Sequence, residues 1–119
     1  MSRHPDKLEH LLKYWFHDST LLERALTHSS AANERSTARH LSNEQLEFLG
    51  DSIIGFLVSD YLYQKLPHLS EGELSKTRAH LVSSANFFRI ARQLELGQFL
   101  HLGKGEEKTG GRKKQAILA

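Results

Sequence analysis

Glu44, Glu47 and Asp51 are the residues best suited to chemistry, three carboxylates spaced three and then four positions apart. On a helix turning about 100° per residue, that spacing stacks them along one stripe. Like charges so placed destabilise a helix by about 0.2–0.5 kcal/mol per pair, and a basic residue at the same spacing would relieve them. No basic residue lies between Glu44 and Gln64, so relief must come from outside the helix. A hard divalent cation bound through carboxylate oxygens would supply it. Magnesium commonly takes only one or two carboxylates and fills its other positions with water and substrate phosphate. A plainer reading stands beside this one: an acidic first turn is favoured by the helix macrodipole and needs no ligand. Spacing alone leaves both open.

Two neighbours bear on the choice. Gly50 sits mid-helix beside Asp51 at a cost of about 1 kcal/mol relative to Ala, which points to a close approach to the backbone there. Phe48 projects from the acidic side, away from Leu46, Leu49, Ile53, Phe56 and Leu57, the arc expected to face the core. An aromatic outside that arc is either incidental or part of an interface. Other residue types offer less. The eight histidines include no H-E-x-x-H spacing, the serines lack a nucleophile-elbow context, and there is no cysteine to form a disulfide or a thiolate metal site. Trp15, Tyr61 and Tyr63 are expected to pack, and Asp60, on the core arc, to be a buried structural carboxylate.

The elements that position these residues read as helices, with no alternating β-branched run to make a strand. Leu8, Leu11, Leu12 and Trp15 give a short amphipathic helix starting near Pro5. Asp18, Ser19 and Thr20 supply N-cap chemistry, Thr20 with Glu23 fits a capping box ahead of Leu22, Ala25 and Leu26, and a polar loop follows from about Ser29 to His40. Ser42 with Gln45 fits a second box and opens a long helix to about Leu66, where Pro67 discourages continuation. Ser70 with Glu73 fits a third, opening a helix through Leu74, Arg78, Leu81 and Val82 that restarts near Ser84 and ends at Gly97. Gly103, Gly105, Gly110 and Gly111 predict a flexible loop, and Gln115 to Ala119 the first turn of another helix. The fold class is all-α.

A chain of 119 residues accommodates one domain, and 39% apolar with 25% charged residues is ordinary for a globular protein. No apolar run approaches a membrane span and no signal-peptide core is present, so a cytosolic protein is expected, with no membrane and no small-molecule cofactor. The net charge of +2 identifies no partner, but its distribution is more informative. Between Gly103 and Lys114, five basic residues (Lys104, Lys108, Arg112, Lys113 and Lys114) face two acidic ones, Glu106 and Glu107. Such a stretch suits contact with phosphates, and also suits a solvated loop.

Asn43 to Ile54, Asn-Glu-Gln-Leu-Glu-Phe-Leu-Gly-Asp-Ser-Ile-Ile, resembles the ribonuclease III signature, approximately N-E-R-L-E-F-L-G-D-S followed by two hydrophobic residues. The one clear departure is Gln45 in place of Arg. Leu21 to Ser30 resembles the family's leucine-rich helix and T-H-x-S segment. Glu71-Gly72-Glu73-Leu74-Ser75, then Arg78-Ala79 and Leu81-Val82-Ser83, resembles its E-G-x-L-S…R-A-x-L-V-S segment. The match runs in order over nearly the whole chain.

The resemblance implies an all-α, dimeric endonuclease domain that hydrolyses both strands of double-stranded RNA with magnesium, or with manganese in its place. Glu47 is similar to a magnesium ligand and Asp51 to a catalytic, metal-associated carboxylate. Glu44 and Glu71 match a further acidic pair lining the same valley, and Phe48 an aromatic knob that enters a socket on the partner subunit. Lys104, Lys108, Arg112, Lys113, Lys114 and Arg78 are the candidates for RNA backbone contacts, with an internal ion pair the alternative for Arg78. The family also carries a D-x-x-E pair on the helix after the glycine-rich stretch. Gln115 to Ala119 resembles the residues just before it, and no acidic residue follows Glu107. The expectation is therefore an endonuclease domain across residues 1–119 that stops before its last helices, without a double-stranded-RNA-binding domain and with little activity of its own. The alternative is a non-catalytic dimeric module that binds double-stranded RNA or serves as a scaffold.

Overall fold

The computed structural model describes residues 5–34 and 41–119. Among these residues the chain forms α1 (Pro5–Leu12), α2 (Ser19–Ala25), α3 (Ser29–Glu34), α4 (Glu44–Lys65), α5 (Glu71–Leu81), α6 (Ser84–Gln93), α7 (Lys104–Lys108) and α8 (Gln115–Leu118). Two 3-10 turns, Leu96–Phe99 and Gly111–Lys113, connect the later helices. The only strand-like feature among the described residues is an isolated parallel bridge between Thr27 and His101. The architecture is all-α.

Local chemistry explains the best-defined helix starts. Ser70 Oγ accepts the Glu73 amide at 3.2 Å while Glu73 Oε2 accepts the Ser70 amide at 2.9 Å, the expected reciprocal box at the head of α5. Ser83 Oγ accepts the Asn86 amide and restarts the chain as α6. The other two expected boxes do not form. Asp18 caps α2, its Oδ1 accepting the Thr20 amide at 3.0 Å, while Glu23 lies 3.0 Å from His101 Nε2. Both Thr20 hydrogen bonds hold the Asp18 carboxyl below the usual carboxylate range, the side-chain one contributing most. Ser42 is fully buried, and α4 begins after Asn43, which makes no side-chain cap.

The expected polar loop contains α3 up to Glu34, and residues 35–40 lie outside the described set. The glycine-rich stretch is likewise more ordered than a flexible loop, since α7 and the 3-10 turn occupy it. Gly97 does not end α6, which stops at Gln93. It lies instead where an added Cβ would sit 2.1 Å from the Arg112 carbonyl oxygen, a close approach that only glycine tolerates.

The core is built by α1, α2 and the Leu96–Phe99 turn rather than by α4. Leu8, Leu22, Leu26, Phe99 and Leu100 form its buried cluster, with Phe16, Leu96, Leu102, Ile117 and Leu118 packed against it. In α1 only Leu8 is buried; Leu11 and Leu12 are exposed, and Trp15 lies beyond the helix, edge-on to His10.

The arc of α4 expected to face the core stays largely open, with Leu49 56%, Ile53 50%, Phe56 66% and Leu57 56% exposed; Leu46 is half-buried. Tyr61, Tyr63 and Asp60 are exposed too, and Asp60 accepts a hydrogen bond from Gln64 at 3.0 Å. The physical reason is that α4, about 33 Å long, packs chiefly against α5 and buries only Leu62. The radius of gyration is accordingly 16.1 Å, against about 13–14 Å for a compact chain of this length.

Candidate functional site

The start of α4 is tied down chiefly from α2 and the residues after it, with the Glu44 amide also donating to Ser42 Oγ at 3.4 Å. The Asn43 amide donates to Thr27 O at 2.8 Å, and Asn43 Nδ2 to Ala25 O at 3.2 Å. Arg24 donates from Nε to Ser42 O and from Nη2 to Gln45 Oε1. Thr27 to Ser30 is itself sewn to the later chain. The His28 amide donates to His101 O, the His101 amide to Leu26 O, and the Gly103 amide to Ser30 Oγ. This lattice fixes where the acidic stripe begins.

Glu44, Glu47 and Asp51 are all exposed on α4. Glu47 and Asp51 open into a groove of about 570 Å³ whose other walls are Ile54 and Gly55, Val82 and Phe87 from the α5–α6 region, and Gln115, Ala116 and Ala119 at α8. The two carboxylates are four residues apart, so their Cα atoms are separated by about 6 Å along the axis. Neither makes a hydrogen bond or ion pair with any described residue. Two unpartnered, exposed carboxylates beside open space are the donor type that a hard cation takes, and they match magnesium's usual share of protein ligands. They are also the minimum, since no group of three or more His, Cys, Asp or Glu able to hold an ion occurs among the described residues.

Glu44 lines an adjoining groove with Glu47, His28 and Asn43. Glu71 is not brought to this place. It lies on the α4–α5 side in a groove with Asp60, Tyr63, Leu74 and Arg78, and accepts from Ser75 Oγ at 2.8 Å. Arg78 donates to Ser59 Oγ at 3.0 Å, binding α5 to α4, and makes no ion pair with an acidic residue among those described. Phe48 is 80% exposed.

The basic stretch divides into two kinds of residue. Arg112 donates from Nη1 to Gly97 O at 2.9 Å and Leu100 O at 2.6 Å, and its Nε and Nη2 grip the Glu107 carboxylate. Those hydrogen bonds hold the Glu107 carboxyl below the usual range. Lys114 Nζ reaches Glu106 at 3.2 Å and Thr109 at 2.9 Å. The side chains of Lys104, Lys108 and Lys113 are exposed and engage no described residue. Sequence reasoning missed the walls that Val82, Phe87 and α8 give the groove, and it missed Arg24. None of these carries a local signal, because their partners are distant in sequence.

A helical domain with an open, acid-lined groove is the class that fold and site define. Residues 18–119 match the family model described as Ribonuclease-III-like. The chain is 52% identical over 112 residues to a protein named Ribonuclease 3 from Caldanaerobacter subterraneus subsp. tengcongensis, covering 94% of this chain and 49% of that one. It is 49% identical over 123 residues to Ribonuclease 3 from Solibacter usitatus, covering 99% and 45%. Among solved structures, two of the nuclease domain of ribonuclease III from Campylobacter jejuni superpose with TM-scores of 0.87 and 0.85 at 43% and 42% identity. They cover 97% and 98% of this chain, and 76% and 75% of theirs. One of them is described by flexibility in a region involved in dimer formation. The chain belongs to the ribonuclease III-like family. It spans about half the length of the curated relatives it matches.

Among the described residues, no helix is long and apolar enough to cross a membrane.

Proposed function

We propose that this chain is the nuclease portion of a cytoplasmic, homodimeric endoribonuclease that hydrolyses phosphodiesters in double-stranded RNA, with magnesium held by Glu47 and Asp51. The observation that carries the reading is the pair of unpartnered carboxylates facing the open groove, in a family whose named relatives are ribonucleases. When bound, magnesium supplies a polarised phosphoryl oxygen and an activated water, and manganese can take its place. Glu47 and Asp51 orient the site from successive turns of one helix, and Glu44 extends the negative stripe toward α2. Glu71 occupies a separate groove of the chain.

Recognition of A-form RNA rests on phosphates and 2′-hydroxyls. Lys104, Lys108 and Lys113 have free ammonium groups for that purpose. Arg112 and Lys114 are engaged internally, so their share in RNA binding is smaller. Arg78 acts first as a strut between α5 and α4. The uncovered apolar side chains of α4, and Phe48 exposed on the acidic side of the same helix, support the dimer, because apolar surface gains by leaving water.

The exposed lysines Lys104, Lys108 and Lys113 would serve equally well in a second reading, in which the chain binds double-stranded RNA as a dimeric module without cutting it. A cleavage assay separates the two. Duplex RNA with magnesium is offered to this chain, to the chain continued through a D-x-x-E helix, and to the continued form carrying Asp51→Asn. The enzyme reading expects slow or no cutting by the first and cutting by the second. In the third, the rate falls by about 10²-fold or more, the scale of a misplaced catalytic group. Duplex binding without cleavage in all three would establish the binding module instead.

A further inference from the structure

We propose that Arg24, acting through Gln45, is a positioning residue for the carboxylate stripe. The proposal rests on the reading of Glu47 and Asp51 as a cation site. Arg24 is half-buried. Its Nε donates to Ser42 O at 3.3 Å and its Nη2 to Gln45 Oε1 at 2.9 Å. An arginine carries five donors and no acceptor, so Arg at position 45 could not receive that hydrogen bond and would set two guanidinium groups against each other. Gln offers the amide oxygen that Arg24 needs.

The location gives this pairing a consequence. Asn43 makes no side-chain cap, so besides the Glu44 amide's 3.4 Å hydrogen bond to Ser42 Oγ the head of α4 is held from outside the helix: Asn43 bonds Thr27 O and Ala25 O, and Arg24 bonds Ser42 O and Gln45. Gln45 lies between Glu44 and Glu47 in that turn, and the turn has one rotational phase. Loss of the Arg24 clamp would let the first turn fray or rotate, carrying Glu47 away from its setting relative to Asp51 and the α8 wall.

The test uses this chain with manganese as the probe. Affinity is read from paramagnetic broadening of the amide resonances around Glu47 and Asp51, and thermal midpoints are measured alongside. Three variants are compared with wild type: Arg24→Gln, Gln45→Arg, and the exchange carrying both. Each single substitution is expected to weaken manganese binding by roughly 3- to 10-fold, at or below the lower end of what losing a partner behind a metal ligand costs. The exchange, which restores a donor and an acceptor in reversed places, is expected to return within about twofold of wild type, a non-additivity that only interacting residues show. A purely structural role for Arg24 would lower the midpoints without moving affinity measured well below them.

Singles that bind like wild type would overturn the proposal, and so would an exchange whose loss equals the sum of the two. If a single variant fails to fold, the exchange alone decides, since rescue requires the pairing. Absence of broadening in wild type would instead remove the cation reading, and this proposal with it.

Discussion

Arg112 and Glu107 belong to the stretch that composition assigns to RNA, yet their atoms are occupied inside the protein. Replacing Arg112 by Ala would leave the Leu100 carbonyl without its donor and the Gly97 carbonyl with only the Leu100 amide at 3.4 Å. The expected cost is roughly 1–3 kcal/mol, visible as a lower urea midpoint. An unchanged midpoint would show that water replaces the guanidinium freely. The Glu107 partner makes part of this stabilisation dependent on pH. Its folded pKa is depressed, so the contribution is present above the ordinary glutamate range and is lost as pH falls through the lower folded value. Wild type and Glu107→Gln should therefore converge in thermal midpoint on acidification, and a gap that persists in acid would contradict this. Glu47 and Asp51 were legible in the sequence because a helix relates positions four apart. The partners of Arg24 and Arg112 were not, since Gln45 lies 21 residues from Arg24 and Gly97 15 residues from Arg112.

Helices whose ends are set by neighbouring residues were equally legible. Ser70 with Glu73 opens α5 as expected, and α4 runs from Glu44 to the residue pair before Pro67. The boxes at Thr20 and Ser42 do not form because other groups take their atoms; of these competitors only Asp18, an N-cap candidate in the sequence itself, is a near neighbour. Asp18 lies two residues ahead of Thr20 and takes its amide, and Arg24 engages Gln45 from another helix. Helices α3 and α7, of 6 and 5 residues, are too short to show a period, and α7 was hidden among glycines. Gly50, mid-helix, predicts a close approach, yet a Cβ added there meets nothing within 4 Å. The chain itself therefore gives no reason for it. Gly50→Ala should stabilise this chain by about 1 kcal/mol through helix propensity, measured by urea unfolding. A loss of stability would mean that the space over Gly50 is filled by something belonging to the folded state.

At the scale of the whole molecule, the failed expectation concerns what covers α4. Periodicity identified an apolar arc correctly, but periodicity cannot say whether the cover comes from the same fold. Here α4 and α5 project from a core built by other elements, and the arc stays open. Phe48 lies outside that arc, on the acidic side of the same helix; if a second copy seats it, Phe48→Ala should weaken association by about 1.5–3 kcal/mol, the worth of one buried Phe side chain. Sedimentation at micromolar concentration measures this, and a wild-type chain that sediments as a monomer would count against the dimer. The central claim, however, is that the acidic stripe is a cation site, and manganese titration tests it most directly. Paramagnetic broadening is followed in wild type, Glu47→Gln and Asp51→Asn under the same conditions. The account predicts saturable broadening centred on these two residues in wild type and its loss in both variants. Identical responses from all three chains would contradict it.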